Sequence, residues 1–268
     1  MTFRGYHVSM FASPEPCIVY ETSSFLLAYK PHGLHTAPLK PGGNDNLLAW
    51  CAALRPELLS VRGLKDIEHG LLHRLDGDTD GLVLLAKTQA AFDAIITSQK
   101  QGLFFKEYDA VCERYDPGLP GFPVPPRPLI LPSSLPARLP AGLPFVVESG
   151  FRAFGPGRQA VRPVDIQAKR TAGKECALDQ GSPYRTEILE ATPLTEDTSR
   201  FRFHVRLLRG FRHQVRCHLA WLGYPVSGDS LYGSALQSVL GLSAVAMGFP
   251  DTETGRPLRF SLDRLMQG

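Results

Sequence analysis

Several patterns that would assign this chain to a common class are missing from its sequence. Five cysteines are present, but no two form a C-x-x-C pair, which argues against a zinc ribbon and against a disulfide framework. No apolar run approaches the roughly 20 residues of a membrane span, and the first residues lack the apolar segment of a secretory signal. We therefore expect a soluble, cytoplasmic protein. The cysteines are Cys17, Cys51, Cys112, Cys176 and Cys217.

A strong charge imbalance is also missing. The net charge is only +3 over 268 residues, so a globally basic surface cannot be used as an argument for nucleic-acid binding. One segment, from position 200 to 216, nevertheless carries six arginines and no acidic residue. By itself, such a segment is a solvated basic face about as often as an RNA site. The six are Arg200, Arg202, Arg206, Arg209, Arg212 and Arg216.

Apolar and alternating segments predict an α+β fold, because strands and helices follow one another without a steady βαβ rhythm. With 43% hydrophobic residues the chain can bury a core, as one large domain or as two lobes. Ten of its 23 prolines fall between 117 and 144, which predicts a surface insertion. The predicted strands are 17–21, 25–29, 82–86, 106–112, 160–164, 184–189 and 201–207. The predicted helices are 46–54, capped by Asn44 or Asp45, then 89–101, and 213–223, closed by Gly223.

Asp76 is the first candidate for chemistry. It follows the basic pair His73 and Arg74 and precedes a turn that leads into a buried apolar strand. A carboxylate at the mouth of a rigid strand is a reasonable nucleophile or general base. Aspartate also favours turns for structural reasons alone, and from these few residues the structural interpretation is the more frequent one.

Several segments, taken in order, resemble the RluA-type family of RNA pseudouridine synthases. The resemblance touches most of the chain from about residue 18 to 260, except the proline-rich segment, and the motifs are highly specific as a set. Residues 73–87 are similar to H-R-L-D-x-x-T-S-G-L followed by apolar residues and A-K, residues 106–108 to K-x-Y, residues 210–219 to G-R-T-H-Q-I-R-V-H-L, residues 225–233 to P-I-x-G-D-x-x-Y-G, and residues 30–34 to K-P-x-G-L.

The resemblance implies a fold and a reaction. The fold is a single catalytic domain over residues 1–268, with a mixed, mostly antiparallel, bisected sheet flanked by helices and no S4-like module. The reaction is the isomerisation of selected uridines in structured ribosomal or transfer RNA, without a metal or a cofactor. Separately, we expect a monomer. Breaking the N1–C1′ bond and joining C5 to C1′ is redox-neutral and atom-neutral, which agrees with that absence.

The resemblance also implies roles for individual residues. Asp76 aligns with the catalytic aspartate, and Arg216 is expected to pair with it, since a nearby opposite charge favours an ionised carboxylate. Arg74 is expected to enter the gap left by a flipped uridine, and Tyr108 to stack on the target base. Further RNA-binding positions are His73, Arg206, Arg212, His213 and Gln214.

Two departures from the family pattern leave alternatives open. The motif serine is Asp80 here, which adds a third acid near Asp76 and Asp78, and Phe211 displaces the motif arginine to position 212. A noncatalytic RNA-binding protein that keeps the fold is one alternative. A carboxylate-dependent hydrolase is another, but it would normally need a second acid or a metal cluster.

Overall fold

The computed structural model describes residues 13–114, 122, 144–164, 181–194, 199–233 and 239–265. These residues fall into two compact units. The Asp76 unit comprises 13–107 and 243–265, and the Arg216 unit comprises the described residues from 108 to 242. The predicted proline-rich insertion at 117–144 lies outside the described residues, apart from Phe122 and Pro144. The four cysteines that are described are free thiols.

The Asp76 unit is built on a sheet in the order β1-β2-β3-β9, with β10 paired to β9. All of its strand pairs are antiparallel except β3 with β9, which is parallel. Its core combines one face of β2 and β3 with one side of α2, including Leu27, Leu84 and Phe92. The elements are β1 (Cys17–Glu21), β2 (Phe25–Lys30), α1 (Leu47–Leu54), β3 (Asp80–Ala86), α2 (Gln89–Lys100), β9 (Leu242–Pro250), β10 (Pro257–Ser261) and α4 (Leu262–Leu265). Strand β9 belongs to this unit from its second residue, Ser243, onward.

The Arg216 unit contains the antiparallel order β8-β7-β5-β6 and one helix, α3. All eight residues of α3 are buried, which is unusual for a helix that contains an arginine and a histidine. Strand β4 (Phe105–Glu113) begins in the Asp76 unit and continues in this one. The other elements are β5 (Phe145–Phe154), β6 (Ala160–Val164), β7 (Tyr184–Pro193), β8 (Arg200–Leu207) and α3 (Gln214–Trp221).

The structure confirms the predicted α+β class and the mixed, mostly antiparallel pairing. Strand β8 alternates between buried and solvent-accessible residues as its sequence predicts, with Arg202, His204 and Arg206 on the accessible face. The predicted cap of α1 was wrong. Asn46, not Asn44 or Asp45, is the cap, because its side-chain oxygen accepts the Ala49 N–H at 2.9 Å.

Gly81 shows why β3 needs a glycine at its start. Its φ is +121°, and a Cβ there would lie 2.3 Å from the Ala244 carbonyl oxygen of the parallel neighbour β9. Any side chain would push β3 and β9 apart. None of the described helices has the length and apolar character needed to cross a membrane.

Candidate active site

The backbone on both sides of Asp76 is held by residues from an earlier loop of the same unit. The Thr36 hydroxyl donates to the Leu75 carbonyl at 2.9 Å and accepts the Leu75 N–H at 3.0 Å. On the other side, the Gly33 N–H donates to the Gly77 carbonyl at 3.0 Å. The Asp76 carbonyl itself accepts the Thr79 N–H at 3.1 Å, which closes a turn. The half-buried Asp76 carboxylate is therefore presented by a loop that is fixed at three successive residues.

Lys30 is the main anchor of this loop. It is fully buried, and its ammonium donates to the carbonyls of Pro31, Leu34 and Gly77 at 2.9, 2.7 and 2.9 Å. These three bonds use all the donors of a lysine. Burial lowers the pKa of Lys30 to about 8, and the nearby carboxylates, Asp80 foremost, oppose that shift. The lysine of the K-P-x-G-L segment thus ties its own loop to the Asp76 loop.

Lys106 is a second buried lysine of the same unit. It is 7% exposed, and burial lowers its pKa to about 8 while the Asp76 charge opposes the shift. Unlike Lys30, Lys106 makes no side-chain hydrogen bond to a described residue.

His73 is a neutral group in this setting. Its Nε2 accepts the Leu84 N–H at 3.2 Å, so the ring supports strand β3. Burial lowers the pKa of His73 well below its ordinary value, and the Lys106 charge adds to the effect. The first residue of the His73–Asp76 segment therefore carries no charge near neutral pH.

Arg74 points toward solvent. Its side chain is 54% exposed, and its Nη1 lies 2.9 Å from Oε1 of Glu68. Lys65 also approaches Glu68, at 3.5 Å. The arginine side of this pair is exposed, whereas Glu68 is buried, with 8% of its surface exposed.

Arg216, the predicted partner of Asp76, belongs to the other unit and is 4% exposed. Its guanidinium makes a bidentate ion pair with Asp229, with Nε to Oδ2 at 2.7 Å and Nη2 to Oδ1 at 2.8 Å. The guanidinium also lies over the Tyr232 ring, 5.5 Å from its centroid. Asp229 is fully buried and also accepts the Leu231 N–H at 3.0 Å. These contacts fix the plane of the arginine, and the predicted pair with Asp76 stays a prediction.

A buried hydroxyl–imidazole chain supports the same helix. His218 is fully buried, with Nε2 2.9 Å from the Ser149 hydroxyl and Nδ1 2.8 Å from the Thr186 hydroxyl. Burial lowers the pKa of His218 to about 3, so the ring is neutral. Gln214, 1% exposed, donates to Thr186 Oγ1 at 3.0 Å and to the Arg185 carbonyl at 2.8 Å. Its amide thus braces the start of α3.

The remaining predicted residues of the Arg216 unit differ in accessibility. Arg212 is exposed, and its Nη2 donates to the Arg158 and Ala160 carbonyls at 3.0 and 3.3 Å. His213 has a left-handed φ of 57° at the start of α3 and lies 3.3 Å from the Tyr232 hydroxyl. Two further residues lie on strands: Arg206 is half-buried on β8, and Tyr108 is 6% exposed on β4.

The two departures from the family pattern have local structural explanations. Asp80 accepts hydrogen bonds from the Tyr29 hydroxyl at 3.1 Å and from the Ser243 hydroxyl at 2.6 Å, so its charge is used within its own unit. Phe211 stacks on Phe151 with ring centroids 5.0 Å apart and planes at 4°. It also contacts Tyr184, at 5.1 Å. An apolar cluster therefore takes the side chain where the motif has arginine.

Sequence reasoning missed four residues around Asp76. Thr36 had no signal, because a single threonine in a loop is not distinctive. Lys30 and Lys106 stood in the motifs, but only their positions along the chain were visible. Glu68, the partner of Arg74, lay in a segment without periodicity. Among the residues that the structure describes, no group of three His, Cys, Asp or Glu is arranged to hold a metal ion.

The comparisons with known proteins all match RNA pseudouridine synthases. The sequence model of the family described as RNA pseudouridylate synthase matches residues 24–221. The ribosomal large subunit pseudouridine synthase D of Pseudomonas aeruginosa is 29% identical over 221 residues, which cover 81% of this chain and 53% of that protein. The RNA pseudouridine synthase YhcT of Bacillus subtilis is 26% identical over 222 residues, covering 81% of this chain and 57% of that protein. The chain thus spans little more than half the length of these relatives.

A solved structure shows the same fold. Human RNA Pseudouridylate Synthase Domain Containing 1 aligns with a TM-score of 0.54 at 19% identity, over 94% of both chains. At that identity the likeness concerns the fold alone.

Proposed function

Since the chain belongs to the RNA pseudouridylate synthase family, we propose that it isomerises selected uridines of structured RNA to pseudouridine, with Asp76 as the nucleophile. The observation that carries the proposal is the Asp76 loop: a half-buried carboxylate on backbone that Thr36, Gly33 and Lys30 hold at neighbouring residues. A nucleophile must be held in place before the substrate arrives, because a misplacement of about 1 Å can cost about a hundredfold in rate.

The proposed reaction needs a carboxylate and a path for one proton. The N1–C1′ bond breaks, the uracil turns, and C5 joins C1′. The C5 proton leaves and N1 takes one up, so atoms and electrons balance within the nucleotide and water. Asp76 serves as the nucleophile, at C1′ or C6 of the target nucleotide, or assists a glycal route.

The other roles follow the same proposal. Asp229 fixes the orientation of the Arg216 guanidinium through two hydrogen bonds. Arg216 is proposed to pair with Asp76 and to keep it ionised. Tyr108 is proposed to stack on the target base and to assist removal of the C5 proton. Arg74 is proposed to leave Glu68 and fill the gap of the flipped uridine, and its exposure supports that exchange. RNA contacts are proposed for His73, Arg206, Arg212, His213 and Gln214.

Ribosomal RNA is the substrate to test first. The relative in Pseudomonas aeruginosa is named for the large ribosomal subunit, whereas the relative in Bacillus subtilis is named only for RNA. Transfer RNA is the second substrate class.

Release of tritium tests the proposal, because only isomerisation exchanges the C5 hydrogen of uridine with water. The purified protein is incubated with transcribed, unmodified ribosomal or transfer RNA that carries 5-tritiated uridine. We expect release by the wild type and none by Asp76→Asn, which keeps the size of the side chain but removes the charge. Continued turnover by Asp76→Asn would sink the assignment, and no release by the folded wild type from either RNA would count heavily against the enzyme.

Binding to the same RNA separates catalysis from affinity. Asp76→Asn is expected to bind with nearly the affinity of the wild type. Arg206→Ala and Arg212→Ala are each expected to weaken binding and to reduce the slope of log affinity against log salt by about one, as for one lost phosphate contact. If both arginine variants keep the full slope, the proposed RNA surface is wrong. A protein that binds RNA but never releases tritium would be the noncatalytic alternative.

A further inference from the structure

We propose that Thr36 is a positioning residue for Asp76: its hydroxyl group fixes the backbone of Leu75 and thereby the position of the carboxylate one residue later. This inference rests on the proposed function, since it assigns a residue that holds the proposed nucleophile in place. Thr36, Leu75 and Asp76 belong to the same unit. Thr36 acts through the backbone and is assigned no contact with RNA.

The first argument is that Leu75 lies where this segment leaves the sheet. Just before it, the Leu72 N–H donates to the Leu84 carbonyl at 3.2 Å, and the Leu84 N–H donates to Nε2 of His73 at 3.2 Å. At Leu75, which is 7% exposed, neither the N–H nor the carbonyl bonds to a described strand. Buried peptide groups need hydrogen-bond partners, so Leu75 requires partners from outside the sheet.

The second argument is that one hydroxyl group supplies both partners. A hydroxyl can donate one hydrogen bond and accept others. Thr36 Oγ1 donates to the Leu75 carbonyl at 2.9 Å and accepts the Leu75 N–H at 3.0 Å. Thr36 is 2% exposed, so these bonds are made away from water. Loss of the hydroxyl would leave a buried donor and a buried acceptor unpaired, one residue before the carboxylate.

The third argument is that Thr36 is itself held by helix α1. The Thr36 carbonyl accepts the Leu48 N–H at 3.1 Å, and the His35 carbonyl accepts the Leu47 N–H at 2.8 Å. Leu47 and Leu48 are the first residues of α1, and both are buried. The first N–H groups of a helix have no partner within the helix, so these bonds stabilise both the helix and the loop. The hydroxyl therefore connects Leu75 to a packed helix.

Separation in sequence distinguishes this contact from an ordinary turn. The Thr22 hydroxyl makes the same two bonds to one residue, because it donates to the Phe25 carbonyl at 3.2 Å and accepts the Phe25 N–H at 3.1 Å. These two residues are three apart, in the turn between β1 and β2, which is a common local pattern for threonine. Thr36 and Leu75 are 39 residues apart. Their contact therefore joins two remote loops and sets where Leu75 lies.

Two substitutions at position 36 test the role through single-turnover tritium release at saturating unmodified RNA, with RNA affinity measured separately. Thr36→Val replaces the hydroxyl with a methyl group of similar size. We expect release to slow by at least about tenfold and affinity to stay within about twofold of the wild type, because Asp76 is displaced and no RNA contact is removed. Thr36→Ser keeps the hydroxyl and should release tritium within about threefold of the wild-type rate.

Thr22→Val is the matched control. It makes the same chemical change in the same unit and removes the same two bonds to a backbone, but in the turn between β1 and β2. We expect it to lower the free energy of unfolding, as Thr36→Val does, and to release tritium at the wild-type rate. A slowing in this control equal to that of Thr36→Val would mean that any destabilisation of the unit has the effect, and would overturn the inference.

The outcomes separate the inference from the proposed function. If Asp76→Asn is inactive and Thr36→Val has the wild-type rate, the role of Thr36 is wrong and the function stands. An equal slowing in Thr36→Val and Thr36→Ser would also overturn the inference, because the hydroxyl would not be the cause. If Thr36→Val does not fold, Thr36→Ala is compared with Thr36→Ser, from which it differs by one oxygen atom, and equal rates overturn the inference. Activity of Asp76→Asn would remove the proposed function itself.

Discussion

The two units bury a cation in different ways. In the Arg216 unit, Arg216 forms a bidentate ion pair with Asp229, with two hydrogen bonds and a buried carboxylate. In the Asp76 unit, Lys106 is 7% exposed, and its ammonium makes no hydrogen bond to a described residue. Two hydrogen bonds fix the geometry of the first cation, whereas no acceptor among the described residues fixes the second.

The largest expected effect tests this contrast through stability. Asp229→Ala leaves the Arg216 guanidinium buried without its carboxylate, and we expect a loss of about 3–5 kcal/mol in the free energy of unfolding. Lys106→Met removes a buried charge that has no hydrogen-bond acceptor, so its loss should stay within about 1 kcal/mol. Urea denaturation of both variants measures the difference.

A double variant, Arg216→Met with Asp229→Leu, controls for the cost of an unpaired charge. It should recover much of the stability that Asp229→Ala loses, because apolar side chains replace the whole pair. Equal losses in Asp229→Ala and Lys106→Met would break the comparison.

A smaller effect is expected in the pH dependence of the free energy of unfolding, to which one neutral histidine in each unit contributes. Burial lowers the folded-state pKa of His218 to about 3 and that of His73 well below its ordinary value. As the pH falls, the histidines of the unfolded chain take up a proton first, near pH 6.5. The stability each neutral ring contributes is therefore fully present above about pH 6.5 and is lost as the pH falls toward the folded pKa, by up to about 2 kcal/mol per histidine between pH 7 and 5.

His218→Asn measures that contribution. The variant is expected to be less stable at pH 7, and the decline in its free energy of unfolding from pH 7 to 5 should be smaller than in the wild type by up to about 2 kcal/mol. Thr186→Val is the control, because it removes a hydrogen-bond partner and keeps the imidazole. Thr186→Val should lower the free energy of unfolding but keep its decline from pH 7 to 5. If that decline is also unchanged in His218→Asn, the His218 ring is not neutral in the folded protein.

The smallest effect on stability is expected at the exposed charge. Arg74→Ala should change the free energy of unfolding by less than about 1 kcal/mol, since the arginine is exposed and Lys65 remains 3.5 Å from Glu68 as a second cation. Tritium release should nevertheless slow by at least about tenfold, because the flipped state loses its support. Lys65→Ala removes the other cation beside Glu68 and should leave release unchanged. Full activity of Arg74→Ala would remove that arginine from the proposed site.

Much of the local structure could be predicted because it depends on neighbours in sequence. The alternation in β8, the apolar run of β3 and the helix before Gly223 all follow from short-range patterns. The cap of α1 was misplaced by one or two residues, since three consecutive polar residues offered similar side chains and only the geometry selects Asn46.

The partners of charged residues could not be predicted in the same way. Asp80 stood out only as a third acid near Asp76 and Asp78, but its carboxylate accepts hydrogen bonds from Tyr29, 51 residues away, and from Ser243, 163 residues away. Phe211 departs from the family motif, and its side chain packs against an apolar cluster. In both cases the deciding contact is distant in sequence.

The sequence by itself determined the family, seven of the ten described strands and the place of Asp76 before β3, because these depend on residue order and short periodicities; β5, β9 and β10 were not predicted. Tertiary structure alone decided which charges are buried and which groups they bind: Lys30 binds three carbonyls, and Arg216 binds Asp229. Burial changes the energy of a charge far more than its neighbours in sequence do, and burial exists only after the chain has folded.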